Sequence, residues 1–189
     1  MALTNTPNVK KALDFATEAH GAQLRKFSSK PYITHPIEVA TLLEKYGAPE
    51  HVVIAGLLHD VVEDTSVSSL EIRLVFGTEV SELVAEVTDV SKSKDGNRAA
   101  RKALDRDHLR GCSYSAASLK LADLICNAQG IMDTPPKFAK TYMAEKRLLL
   151  EVLRHGNKAL LSKATEILLA YEDHQRYADQ FKGEVCDQS

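Results

Sequence analysis

The chain has 189 residues, a length that suits one domain built on a single large core. Hydrophobic residues make up 44% and charged residues 26%, aromatic content is 6% and tryptophan is absent, a soluble globular balance that leans toward helices and away from a β-sandwich. With 24 basic and 26 acidic residues the net charge is -2, so no global field favours nucleic acid or an anionic membrane, and attraction of an anionic substrate must come from a local basic patch or a metal.

The N-terminal "MALTNTPNVKKALDF" has no apolar signal core, and no run reaches transmembrane length. Cys112, Cys126 and Cys186 fit neither a zinc ribbon nor a disulfide framework, and read as free thiols of a reducing cytoplasm. The expected location is cytoplasmic.

Taken in chain order, nearly every segment has helical periodicity. "TPNVKKALDFATEAHG" offers Thr6 as a cap, Pro7 at the first helical position and a stripe at Ala12, Phe15, Ala16 and Ala19. "KPYITHP" allows a short extended piece at most. "HPIEVATLLEKYG" starts a helix at Pro36, turns Val39, Leu42, Leu43 and Tyr46 to one face, and stops at Gly47. "PEHVVIAGLLHDVVEDT" is apolar nearly all round and predicts one central buried helix. "SSLEIRLVFG" carries a capping box from Ser68 to Glu71 and ends at Gly77. "TEVSELVAEVTDV" places Val80, Leu83, Val84 and Val87 on one stripe.

Residues 91 to 97, "SKSKDGN", predict a mobile loop, followed by a basic helix over 98 to 110. "SYSAASLKLADLICNAQGIM" is a mostly apolar helix, and "TPP" at 134 to 136 breaks the chain. Two longer helices, over about 137–182, separate near "HGN" at 155 to 157, and "GEVCDQS" reads as a frayed end. No repeat, linker or convincing strand interrupts the pattern. The expectation is a single all-α domain spanning residues 1–189, a compact multi-helix bundle.

The chemistry concentrates in "LLHDVVEDT". On one helix His59 and Glu63, and Asp60 and Asp64, stand one turn apart, opposite Leu57, Leu58, Val61 and Val62. A solvated helix face is the plain alternative, but buried neighbours and clustered like charges call for a counter-ion. His35, before Pro36, and Asp123, inside an apolar helix, complete a mixed set. For each a plainer role is open: a capping or core histidine, and a local ion pair from Asp123 to Lys120. His35, His59, Asp60 and Asp123 together suit Mn²⁺, Fe²⁺, Zn²⁺ or Co²⁺ better than Ca²⁺. Glu63 and Asp64, one turn beyond, are candidates to orient or deprotonate a water. Arg25, Lys26 and Lys30 concentrate positive charge before His35, where arginine can grip phosphate bidentately or stack on a base.

The blocks "HGAQLRKFSSKPYITHPIEVATLL", "AGLLHDVVEDT", "FGTEVSELVAEVTDVSK" and "LKLADLICNAQGI", in this order, resemble the HD-domain hydrolase module of RelA/SpoT homologues, over roughly residues 8 to 150. The resemblance is to the stand-alone small alarmone hydrolases and implies an HD-domain bundle that cleaves (p)ppGpp at the 3′ position. It also implies Mn²⁺, with ligands at His35, His59, Asp60 and Asp123. Matched to the family, Glu63 and Asp64 are its catalytic acidic pair, Arg25 and Lys26 line its nucleotide pocket, and Asn127 is its asparagine. Lys102, Tyr142 and Lys146 fall near its substrate-lining helices. The sequence departs from the family at Leu124, where a basic residue is usual, and at "FSSKPY", which replaces a glycine-containing turn.

The expected partner is therefore a small guanosine nucleotide, with no nucleic acid or membrane, and the protein a monomer or homodimer. Two rivals stay open: the same chemistry on another nucleotide, such as the 2′-phosphate of NADPH, and a catalytically inactive nucleotide sensor. The intact Glu63–Asp64 pair argues against the sensor.

Overall fold

The computed structural model describes residues 3, 4, 6–27 and 29–185, with side chains as far as residue 177. Among these residues the fold is all-α: the only β pairing is an isolated antiparallel bridge between Leu24 and Pro31. The first helix, α1 (Pro7–His20), starts as its sequence dictates. The Thr6 hydroxyl accepts from the Val9 amide at 3.2 Å, and Pro7 opens the helix. Such a cap contributes about 1 kcal/mol.

Helix α2 (Thr34–Lys45) begins two residues before the expected Pro36. Proline is tolerated in a first turn, whose N–H groups have no intrahelical partner, so His35 belongs to the helix instead of preceding it. The "PEHVVIAGLLHDVVEDT" segment is not one helix. It forms α3 (Glu50–Leu58) and a four-residue α4 (Val61–Asp64), with a break at His59 and Asp60. At the break the His59 ring donates from Nδ1 to the Gly56 carbonyl at 2.9 Å, taking an acceptor that a continuing helix would use.

The remaining helices follow their sequence signals closely. They are α5 (Ser69–Phe76), with the Ser68–Glu71 capping box formed, α6 (Thr78–Val87), α7 (Arg98–Leu109) and α8 (Tyr114–Ala128). A short 3-10 turn at Ile131–Asp133 leads into α9 (Pro136–Val152), and α10 (Lys158–Val185) ends the described chain. The expected fray over "GEVCDQS" is corrected as far as Val185, which is helical; the last four residues lie outside the described residues.

Helix α3 is the centre. Val52 through Leu58 are all buried, and α1, α2, α6 and α8 pack around it. A Cβ on Gly56 would stand 2.7 Å from Leu43 Cδ1, so glycine sets how closely α2 and α3 approach. On the far side α10 braces α8. Asn157 caps α10, its Oδ1 accepting from the Ala159 and Leu160 amides at 3.0 and 3.1 Å. Its own amide donates to Ser118 Oγ of α8 at 2.9 Å. Cys112 and Cys126 are free thiols; Cys186 lies outside the described residues.

Candidate active site

Three elements meet at the end of α3. The first turn of α2 supplies His35, the α3–α4 break supplies His59 and Asp60, and the middle of α8 supplies Asp123. His35, His59 and Asp123 are buried, and each offers an atom within 4.8 Å of the other two. His35 Nε2 lies 3.2 Å from Asp123 Oδ1 and 3.5 Å from Asp60 Oδ2; His59 Nε2 lies 3.1 Å from Asp60 Oδ2 and 3.8 Å from Asp123 Oδ1. Neither Nε2 makes a hydrogen bond at these separations.

These separations suit ligands of one divalent cation, since atoms about 2.0–2.2 Å from an ion lie about 3–3.5 Å apart. The tautomer agrees: His59 Nδ1–H is committed to Gly56, which leaves the Nε2 lone pair free. The electrostatics agree too. Burial opposes a charge on His59, yet Asp60 and Asp123 outweigh it and push the imidazole up to about 10. The centre draws positive charge: without a metal it draws a proton to His59 Nε2, and a divalent ion held by the two imidazoles and two carboxylates would take that proton's place. Asp60 is itself fixed, accepting from the Tyr32 hydroxyl at 2.6 Å.

Asp123 uses both oxygens. Oδ1 faces the histidines and accepts from Asn127 Nδ2 at 2.5 Å, while Oδ2 stands 3.6 Å from the buried Lys120 ammonium. The local ion pair and the histidine cluster are therefore compatible readings of one carboxylate. Lys120 also donates to the Val87 carbonyl at 3.1 Å, and the surrounding acids Asp123, Glu63 and Asp89 overcome its burial and keep it charged.

Glu63 and Asp64 sit on α4 beside this centre, held by other groups. Glu63 Oε1 accepts from the Asp89 amide at 2.6 Å, and Asp64 Oδ2 accepts from Gln23 Nε2 at 3.0 Å. Glu63 keeps solvent exposure as a residue, but its carboxyl is enclosed on the protein side. That burial, with Asp89 adding to it and Lys120 opposing, pushes the carboxyl up to about 7. An acid–base group works best with a pKa near the operating pH.

Two cavities flank the centre and share Tyr32, Asn127, Tyr142 and Lys146. The larger, about 600 Å³, is walled by Arg25, Lys26, Phe27, Lys30 and Phe138. The smaller, about 330 Å³, is walled by Glu63, Asp89, Arg98, Lys102, Arg106 and Lys120. The Leu24–Pro31 bridge folds the basic loop back over the first cavity. Arg25 pairs with Glu38 at 2.8 Å, and the Lys26 ammonium lies 5.3 Å from both the Phe27 and Phe138 rings. Lys146 is held over the Tyr142 ring at 4.8 Å, and burial lowers its pKa.

Of the site residues named from the sequence, all but two line one or other of these cavities; His59 is buried behind them and the exposed Asp64 lines neither, and several of the rest have partners the sequence does not announce. Lys102 reaches Asp89 at 2.5 Å and Asp105 at 3.3 Å. Leu124 is 1% exposed and packs in the core, lining neither cavity, whereas Phe27 and Lys30 of the altered turn do line the larger one. Ser28 lies outside the described residues. Sequence reasoning missed Tyr32, Asp89, Gln23 and Phe138. Tyr32 and Gln23 were legible as polar residues inside the block around His35; Asp89 and Phe138 carry no local signal.

Residues 12–154 match the model of the HD domain. The chain belongs to the HD-domain family. Among its HD relatives, a protein named guanosine-3′,5′-bis(diphosphate) 3′-pyrophosphohydrolase MESH1 from Xenopus tropicalis is 39% identical over 132 residues, covering 68% of this chain and 72% of the relative. The protein of the same name from Danio rerio is 32% identical over 177 residues, covering 89% of this chain and 97% of the relative. A solved structure of a metazoan orthologue of SpoT, described as hydrolysing ppGpp and acting in starvation responses, matches with a TM-score of 0.79. It has 31% sequence identity and covers 90% of this chain and 98% of that one. No described helix of this HD protein is long and apolar enough to cross a membrane.

Proposed function

We propose that this protein is a single-domain, Mn²⁺-dependent hydrolase that removes pyrophosphate from the 3′ position of guanosine 3′-pyrophosphates. The observation that carries the reading is the convergence of His35, His59, Asp60 and Asp123, with Glu63 and Asp64 alongside, at the seam of two cation-lined cavities. The near full-length likeness to relatives named as 3′-pyrophosphohydrolases supports the same substrate. The two histidines through Nε2 and the two aspartates would hold the ion. When bound, it polarises the phosphoryl group and makes a water nucleophilic near neutral pH.

The chain's own groups do the rest. Glu63 takes the water's proton on Oε2, since Oε1 is committed to the Asp89 amide. Asp64 orients that water through Oδ1, because Oδ2 is held by Gln23. The water oxygen bonds to the proximal phosphorus and the bond from phosphorus to the 3′-oxygen breaks; that oxygen takes a proton from solvent as pyrophosphate departs, and Glu63 returns the proton it took to solvent. Arg25, Lys26 and Tyr142 receive the nucleoside side of the substrate; Lys102, Asn127 and Lys146 face its phosphates. A Glu63 carboxyl tuned to about 7 favours an enzyme over an inactive sensor. We place the protein in the cytoplasm, as a monomer or homodimer with no nucleic-acid partner. A panel of guanosine 3′-pyrophosphates and NADPH, with separate detection of pyrophosphate and phosphate before and after chelation, tests the reading. Pyrophosphate from the guanosine compounds alone, abolished by chelation and restored by Mn²⁺, is the expected result. Phosphate from NADPH as the main product overturns it.

A further inference from the structure

Behind Asp64 the site rests on the corner where α1 ends. Helix α1 ends at His20, and Gly21, at φ 49°, turns the chain so that the Gln23 amide nitrogen bonds back to the His20 carbonyl at 3.0 Å. This turn brings the two side chains together. His20 Nδ1 and Gln23 Oε1 are 2.9 Å apart, and Gln23 Nε2 donates to Asp64 Oδ2 at 3.0 Å.

The direction of this chain is forced. Asp64 is a carboxylate and can only accept, so the glutamine must present its NH₂ to Asp64 and its oxygen to His20. His20 must then carry its proton on Nδ1. Its Nε2 is buried without a partner, so the ring's single hydrogen bond fixes the amide. The same ring lies 4.8 Å from the ring of Tyr32, whose hydroxyl holds Asp60. One corner of the fold thus bears on both aspartates of the α3–α4 segment.

Asp64 needs such a hold. It is exposed, on a helix of four residues, and otherwise free to turn about its side-chain torsions. We propose that Gln23 and His20 are positioning residues for Asp64: the imidazole locks the amide, and the amide locks the carboxylate in the orientation the reaction uses. The inference rests on the hydrolase reading for Asp64's task, but not for its placement.

Three variants separate positioning from packing. Gln23→Leu keeps the bulk and removes the donor; it is expected to lower kcat about 10–100-fold with KM, metal content and melting temperature held. His20→Phe keeps the ring against Tyr32 but loses the Nδ1 donor. His20→Asn loses the ring but keeps a donor near the Nδ1 position. Positioning requires that Asn outperform Phe in kcat, and a packing role requires the reverse.

Combining Gln23→Leu with Asp64→Asn should cost no more than Asp64→Asn alone, because the amide acts only through that carboxylate. A crystal structure of Gln23→Leu should show the Asp64 carboxylate displaced in an otherwise unchanged fold. Additive losses in the double variant, an undisplaced Asp64, or Phe outperforming Asn overturns the proposal. If the parent protein does not hydrolyse a 3′-pyrophosphate, the substrate reading fails instead, and the position of Asp64 in the Gln23→Leu crystal decides this inference by itself.

Discussion

The two cavities that meet at the histidines are built on opposite terms. In the larger one the cations have isolated partners: Lys26 lies over the Phe27 and Phe138 rings, and Arg25 pairs with one carboxylate, Glu38. In the smaller one they are tied into the acidic groups beside the candidate site. Lys102 joins Asp89 to Asp105, the Asp89 amide holds Glu63, and Lys120 faces Asp123. Arg98 is locked to Glu145 at 2.6 Å. A cation held loosely over aromatic rings can exchange them for a ligand at little cost, whereas one inside an ion-pair network cannot move without disturbing the network. The first cavity is therefore built to bind and the second to hold a fixed geometry. Substitutions should divide between KM and kcat along that line.

The seam itself should give the largest effects. His59→Ala removes an Nε2 that nothing else replaces; loss of bound divalent metal and of turnover together is the expected outcome, read by elemental analysis beside the assay. Asp60→Asn should also lower metal affinity. If Asp60→Asn stays loaded while Glu63→Gln and Asp64→Asn come out metal-free, the division of roles is reversed.

Next comes Glu63. Glu63→Gln should retain metal and lose turnover by about 10²–10⁴-fold, as for a general acid–base group. As a base Glu63 must be ionised, so parental kcat should rise with pH through about 7. Its effect on stability runs the other way. A carboxyl raised from 4.5 to about 7 favours the folded state most below 4.5, and that advantage is lost as pH climbs through 7. Glu63→Gln should then melt no lower than the parent at pH 8, and a clear fall in melting temperature there would show that Glu63 is structural.

In the smaller cavity, Lys102→Met should lower kcat more than it raises KM, because it releases Asp89 and with it Glu63. A pure KM effect would erase the contrast between the cavities. In the larger cavity, Lys26→Ala and Arg25→Ala should raise KM by about 5- to 150-fold, the equivalent of losing about 1–3 kcal/mol of contact, with kcat close to the parent's. A collapse in kcat at constant KM for Lys26→Ala would place that lysine with the chemistry.

Much of this was written in the chain in readable form. Local rules carried the helices: Thr6 before Pro7, Ser68 before Glu71, and the breaks at Gly77 and "TPP" all appear where the sequence put them. The candidate ligands were legible because a buried histidine or aspartate needs a reason. The break in the central segment was not, since His59 and Asp60 keep near-helical backbone angles and only a ring-to-carbonyl bond marks the place. The early start of α2 was hidden by Pro36, which serves as well inside a first turn as at its head. Partners such as Asp89 and Phe138 could not be read at all. They reach the site from α6's end and from α9, and nothing in their neighbours states which helices will touch.

The uneven support of the four candidate ligands has a consequence in time. Twelve of the fifteen residues of α8 are buried, and α10 covers its outer side. The amides around Asp123 should exchange with solvent only when the whole domain unfolds. Helix α4 is a single turn, and its amides can exchange by local opening. Hydrogen exchange should thus divide the ring of candidate ligands into a slow half at Asp123 and a fast half beside Asp60. An ion entering or leaving would do so past the fast half, on the timescale of one turn of helix loosening.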